Sequence, residues 1–167
     1  MGEKKEKEEK VGKIEPKEIY LINKNNFVDQ AKVLAKICMT LKFAKREPIN
    51  PDIFMEYVTK ALAFGKCIIF VSFDKDLELI ACAVAFLLNN PLKGKIIWLE
   101  WCWTDGKDLE IGNKMFERIE DLAKTWGATR IAAAMTRTIA GVAKKYKMKK
   151  AYTVVEKILK GSDKDEN

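Results

Sequence analysis

The sequence predicts an α/β (α+β) fold, a mixed central sheet with helices on both faces. Three observations carry this. Short apolar runs rich in β-branched and aromatic residues alternate with segments whose apolar residues recur at helical spacing. Two of the runs, Cys67–Phe73 and Leu77–Leu88, are separated only by Asp74-Lys75-Asp76 and read as a hairpin. Residues Lys95 to Leu159 read strand, loop, helix, strand, short helix, strand, so helices lie between strands on both sides of the hairpin and both sheet faces need cover.

In chain order, Ile19-Tyr20-Leu21-Ile22 is a short strand. Asn26 is placed to cap a helix with Asp29 in its first turn; Phe27, Ala31, Leu34, Ile37, Cys38 and Leu41 carry its apolar face to about Ala44. Asn50-Pro51 starts a second helix and Gly65 stops it, with Ile53, Phe54, Tyr57, Val58 and Leu62 as the apolar face. The hairpin follows, and Asn89-Asn90-Pro91 breaks the chain before a third long strand, Lys95–Trp103. Ile111, Met115, Ile119, Leu122 and Trp126 form a clean stripe on a helix from about Leu109 to Trp126, which Gly127 ends. A small-residue strand at Arg130–Met135, a short helix over 138–146 and a last strand at Ala151–Lys157 complete the order.

A length of 167 residues fits one domain, and 48% apolar with 33% charged residues fits a soluble globular protein. Residues 1–18, with six lysines and six glutamates, read as a disordered Lys/Glu tail, residues 19–160 as one domain, and 161–167 as a second disordered tail. No apolar run reaches the ~18 residues of a membrane span. The amino terminus lacks the apolar stretch of a secretory signal, so a cytoplasmic location is expected.

The four cysteines, Cys38, Cys67, Cys82 and Cys102, sit singly in apolar patterns and are expected to be buried thiols; no metal site is expected. With no histidine in the chain, a serine–histidine or cysteine–histidine nucleophile is excluded, and a general base must be a carboxylate, tyrosine, lysine or water chain. Residues 137–160 hold eight cationic side chains against Glu156 alone, equal to the whole net charge of +7. That patch favours an anion, either coenzyme phosphates or nucleic acid, although no nucleic-acid-binding motif accompanies it. Abundant Lys, Glu and Ile with a single glutamine, Gln30, point to a thermophilic source.

The order β-α-α-β-β-β-α-β-α-β, the run GATRIAAAM (127–135) and the ending KKYKMKKAYTVVEKIL (144–159) resemble the GCN5-related N-acetyltransferase (GNAT) superfamily. Within it the ending is similar to small acetyltransferase-like proteins of phages and prophages. The resemblance covers roughly residues 19–159 and is most specific over 95–159.

It implies a GNAT-like acyl-coenzyme A fold, acetyl-CoA as cosubstrate, an amine acceptor that the sequence does not name, and a homodimer as a common assembly. It also implies an alternative: a catalytically inactive binding or virion-associated protein of phage or viral origin, which would place it in a host cytoplasm or a virion. The family's phosphate-gripping loop, [Q/R]-x-x-G-x-[G/A], corresponds here to Lys107, Asp108, Leu109, Glu110, Ile111 and Gly112, followed by Asn113. Lys107 holds the basic place and Gly112 the final glycine, but Glu110 replaces the first glycine and Asp108 adds a second acid. Two carboxylates repel a pyrophosphate, unless they serve the helix N-terminus themselves.

The resemblance places Cys102 and Trp103 beside the pantetheine arm. Glu100 is the lone carboxylate of the strand Trp98–Trp103; strict alternation puts it on the face of Trp98 and Cys102, where it suits a general base acting on an amine. The family's tyrosine that protonates the leaving thiolate aligns with Ala143, so Tyr146, nearly one turn on, is the candidate acid, with Tyr152 behind it.

Overall fold

A computed structural model describes residues 15–44 and 50–133, all within the compact unit Met1–Ala134. The expected helix over 138–146, the strand over 151–157, Tyr146, Tyr152 and the basic patch lie outside the described residues.

Five strands form one sheet in the order β1 (Tyr20–Ile22), β2 (Cys67–Phe73), β3 (Leu79–Asn90), β4 (Gly94–Thr104) and β5 (Arg130–Ala133). The first four pair antiparallel and β4 pairs parallel with β5, which makes the sheet mixed, as expected. One face carries α1 (Ala31–Ala44) and α2 (Pro51–Ala63) over Ile69, Val71, Cys82, Val84 and Phe86. The other carries α3 (Leu109–Trp126) over Phe70, Ala83, Ala85, Ile97 and Leu99. Two separate apolar clusters therefore sandwich the sheet, and β3 contributes to both, which explains its unbroken apolar run.

Local chemistry sets the boundaries. Asn50 caps α2 by accepting from the backbone N–H groups of Asp52 (3.0 Å) and Ile53 (3.2 Å), with Pro51 at the first position. Gly127 ends α3 at φ 72°, a left-handed conformation that favours glycine. The β2–β3 turn is closed by Asp74, whose carboxylate accepts from the N–H groups of Asp76 and Glu78.

Several expectations need correction. Asn26 is not a side-chain cap: its amide accepts from Asn23 N–H and donates to the Leu21 carbonyl. The residues after it, Phe27–Gln30, form a 3₁₀ turn and the α-helix begins only at Ala31. The β3–β4 hairpin runs further than expected, pairing through Asn90 and Gly94, because the Asn90 side chain accepts from Leu92 and Lys93 N–H and Gly94 takes φ 72°. On α2, Phe54, Val58 and Leu62 are buried, but Ile53 and Tyr57 are exposed, since they lie on the flank beyond the sheet contact. Cys38, Cys67 and Cys82 are buried; Cys102 is exposed. Among the described residues no helix is long and apolar enough to cross a membrane.

Candidate active site

The pairing of β3 with β4 contains an irregularity that organises the site. Val84 opposes Trp101 and Ala85 opposes Leu99, which leaves Glu100 as the extra residue of a β-bulge. The bulge resets the alternation. Trp98, Trp101 and Trp103 all pack toward the cluster under α1 and α2, while Ile97 and Leu99 face α3. The expected face-sharing of Glu100 with Cys102 is thereby corrected. Cys102 is paired with Ala83, on the α3 side, because the inserted residue moves every later side chain to the opposite face.

Glu100 itself is half-buried and does share the side of Trp98, whose indole Nε1–H donates to its Oε2 at 2.5 Å. Around it, Trp101 packs on Phe54 of α2 (ring centroids 5.1 Å) and Tyr57 on Phe86 (5.0 Å). Burial pushes the Tyr57 phenol above its ordinary pKa, and the negative charge of Glu100 adds to the shift. Burial also pushes the Cys67 thiol up to about 12, so it stays protonated near neutrality.

β4 pairs in parallel with β5 from Ile96 opposite Arg130 to Leu99 opposite Ala133, the last of the described residues.

The expected phosphate loop sits at the start of α3. Asp108 is the helix N-cap: its carboxylate accepts from the Glu110 N–H at 2.9 Å. Lys17 closes on the same carboxylate at 2.9 Å. Lys17 was read as part of the amino-terminal tail, yet it takes φ 63° and its backbone N–H donates to the Phe73 carbonyl at 2.8 Å. The hydrogen bond from Lys17, then that from the Glu110 backbone, holds the Asp108 carboxyl below the ordinary aspartate range, and Asp108 in turn raises Lys17.

Lys107 points into solvent, with its N–H donating to Asp105 (3.0 Å) and its ammonium 4.0 Å from the same carboxylate. Glu110 and Asn113 are exposed, Gly112 is half-buried and Ile111 is packed in the core; of Leu109 only its place as the first helical residue is described. The loop residues thus come together as the sequence suggested, with Asp108 serving the helix itself. The residue that sequence reading missed is Lys17. Its only signal was its position at the end of the charged tail, two residues before the first apolar run.

No protein-family model matches the chain, and neither does any curated protein sequence. Solved structures do. A predicted acetyltransferase from Clostridium acetobutylicum, solved with acetyl-CoA, is 14% identical, with a TM-score of 0.66 over 84% of this chain and 95% of its own. An aminoglycoside acetyltransferase from an uncultured soil metagenomic sample, solved with trehalose, is 14% identical, with a TM-score of 0.61 over 85% of this chain and 94% of its own. A third, a probable acetyltransferase, is 12% identical, with a TM-score of 0.66 over 87% and 99%. At such identities the likeness establishes the fold, and that fold is the GNAT-like α+β fold of acetyltransferases.

Proposed function

We propose that this protein is an N-acetyltransferase that moves the acetyl group of acetyl-CoA to an amine. One observation carries the reading: in an acetyltransferase-like fold, the bulge on β4 holds a half-buried carboxylate, Glu100, beside the Trp98 indole, on the face to which Trp98, Trp101 and Trp103 pack. Glu100 takes the proton of the acceptor ammonium, directly or through one water. The freed amine lone pair bonds to the thioester carbon, the C–S bond breaks and the thiolate leaves, and the second proton of the nitrogen, lost as the amide forms, balances the one that the thiolate gains. Tyr146, outside the described residues, is the proposed acid for that thiolate. The superfamily resemblance places the pantetheine arm along β4 at Cys102 and Trp103.

The residues fit the phosphates less well. Asp108 already holds the Glu110 N–H and is matched by Lys17, and Glu110 adds a second exposed carboxylate. Binding through Lys107 to Asn113 is therefore expected to be weak and salt-dependent. The same observation favours the second reading, a GNAT-fold binding protein without catalysis, because Asp108 already takes the Glu110 N–H and the Lys17 ammonium. A phage or virion origin rests solely on the likeness in residues 144–159, and a homodimer on the superfamily resemblance. Calorimetric titration with acetyl-CoA separates the two readings. Heat that declines with salt and with Lys107→Ala supports the enzyme. No heat and no thermal shift at millimolar acetyl-CoA leaves the binding protein.

A further inference from the structure

An open groove of about 640 Å³ runs between the second half of α2 and the β3–β4 hairpin. That volume lies within the range of small-molecule sites. The hairpin forms one wall because it outruns its neighbour. β2 pairs with β3 only as far as Cys67 opposite Phe86, while β3 and β4 pair on to Asn90 opposite Gly94.

The lining is apolar along its length. Tyr57 (52% exposed) and Phe64 (78%) are large side chains that the core leaves uncovered, and Phe86 and Leu88 lie across from them on β3. Tyr57 stacks on Phe86 with ring centroids 5.0 Å apart. Phe64, the C-cap of α2, follows seven positions later, roughly 10 Å along the helix axis at ~1.5 Å per residue. The charged lining is cationic, Lys60 and Lys66, and no carboxylate is among the described lining residues. Lys60 is tied to Glu56, whereas Lys66, just beyond the end of α2, has no ion-pair partner among the described residues. Toward Tyr57 the sign reverses, since the negative charge of Glu100 is felt at the Tyr57 phenol.

These features separate the possible occupants. An uncovered apolar strip with an unmatched ammonium at one end gains most from a molecule with an apolar body and one negative charge. A cation would arrive among lysines, with no carboxylate in the lining to receive it. A second copy of the chain, docked groove to groove about a twofold axis, would set lysines against lysines. We infer that the groove binds an anionic amphiphile, an apolar body of about 10 Å bearing one carboxylate, with the carboxylate at Lys66 and the body over Phe64, Phe86 and Tyr57. Neither Glu100 nor Trp98 lines the groove, so the site does not require that the protein transfer acyl groups.

The test is calorimetric titration of the full chain with 4-phenylbutyrate, 4-phenylbutylamine and 4-phenyl-1-butanol, which share one apolar body and differ in the charge of the head group. Saturable binding of 4-phenylbutyrate is expected in the millimolar range or tighter, the scale for a ligand of about twelve non-hydrogen atoms. It should be about tenfold tighter than that of the amine or the alcohol, and weakened about tenfold by Lys66→Glu but little by Lys66→Arg. Phe64→Asp should abolish it. Lys66 and Phe64 are both exposed, so these variants do not put folding at risk, and circular dichroism checks each. Equal or tighter binding of the amine or the alcohol, no binding of 4-phenylbutyrate, or binding unchanged in Lys66→Glu or Phe64→Asp overturns the inference. So does light scattering that shows a dimer which Phe64→Asp dissociates, because a second copy would then cover the groove.

Discussion

Replacing Glu100 by glutamine separates chemistry from architecture. In the native protein the Glu100 Oε2 accepts from the Trp98 indole N–H at 2.5 Å. A glutamine carbonyl oxygen accepts the same bond, so the bulge and the three tryptophans on that face keep their arrangement. What disappears is the capacity to take a proton. Loss of a positioned base lowers turnover about 10²–10⁴-fold, which is ~2.7–5.4 kcal/mol of barrier at ~1.36 kcal/mol per factor of ten. Acetyl-CoA affinity should stay within about twofold, because the carboxylate is on the α1–α2 face of the sheet and the expected phosphate loop heads α3. Glu100→Ala is the contrasting variant. It also removes the indole's acceptor and should lower stability by about 1 kcal/mol, the net value of a typical hydrogen bond. Single-turnover thiol release and denaturant unfolding of both variants give the two numbers. Wild-type turnover in Glu100→Gln, with folding intact, would refute the assignment of Glu100 as base.

Two further expectations concern stability. Because Asp108 titrates lower in the folded protein, its pairing with Lys17 stabilises the fold above the ordinary aspartate pKa of ~4 and is lost as pH falls through the depressed value; because Lys17 titrates higher, the same pairing is lost as pH rises beyond ~10.4. The melting-temperature difference between wild type and Lys17→Ala should therefore be level near neutrality and close at both extremes; a difference independent of pH would exclude the ion pair as its source. On α2, Leu62→Ala, at a fully buried position, should cost about 2–5 kcal/mol, whereas Ile53→Ala, at a 66% exposed one, should stay within about 0.5 kcal/mol. Equal losses by urea denaturation would show that the exposed flank is covered in solution.

Much of the fold could be read from the chain because its signals are local. The span of α3 follows from an apolar stripe, a capping aspartate and a stop glycine, all within one helix. The β2–β3 hairpin follows from two apolar runs around an acidic turn. What escaped reading depends on partners. A bulge is a property of two paired strands, so strict alternation placed Cys102 with Glu100 and missed the reset. A trace was nonetheless present. Trp98 and Trp101 stand an odd distance apart, and a single apolar face can take both only if one residue between them is extra. Asn26 shows a different limit, since its amide can serve either a helix start or a loop, and it closes the loop after β1. Lys17 was hidden by composition: a lysine in a Lys/Glu run looks like solvated tail until a strand end and a helix cap are brought beside it.

The carboxylate at residue 108 and the lysine it holds separate the two functional readings, and Asp108→Ser tests them. Serine is about as good an N-cap as aspartate, so the start of α3 should survive the exchange. The substitution removes a carboxylate from the expected phosphate site and releases the Lys17 ammonium, which Asp108 holds at 2.9 Å. Both changes favour an incoming pyrophosphate. Relieving one exposed like-charge pair near 4 Å in water corresponds to about a fivefold change in affinity, and a lysine redirected to the phosphates adds to it. If the protein is an acetyltransferase held to weak cosubstrate binding by this carboxylate, Asp108→Ser should tighten acetyl-CoA binding at least fivefold at low salt, and the gain should fade as the Debye length falls below ~10 Å above 0.1 M salt. An affinity that is unchanged, or gained equally at all salt concentrations, would mean that the α3 N-terminus is not where the phosphates sit. The acidic pair at residues 108 and 110 would then be a helix terminus satisfying itself, and the acyl-transfer reading would lose its phosphate site.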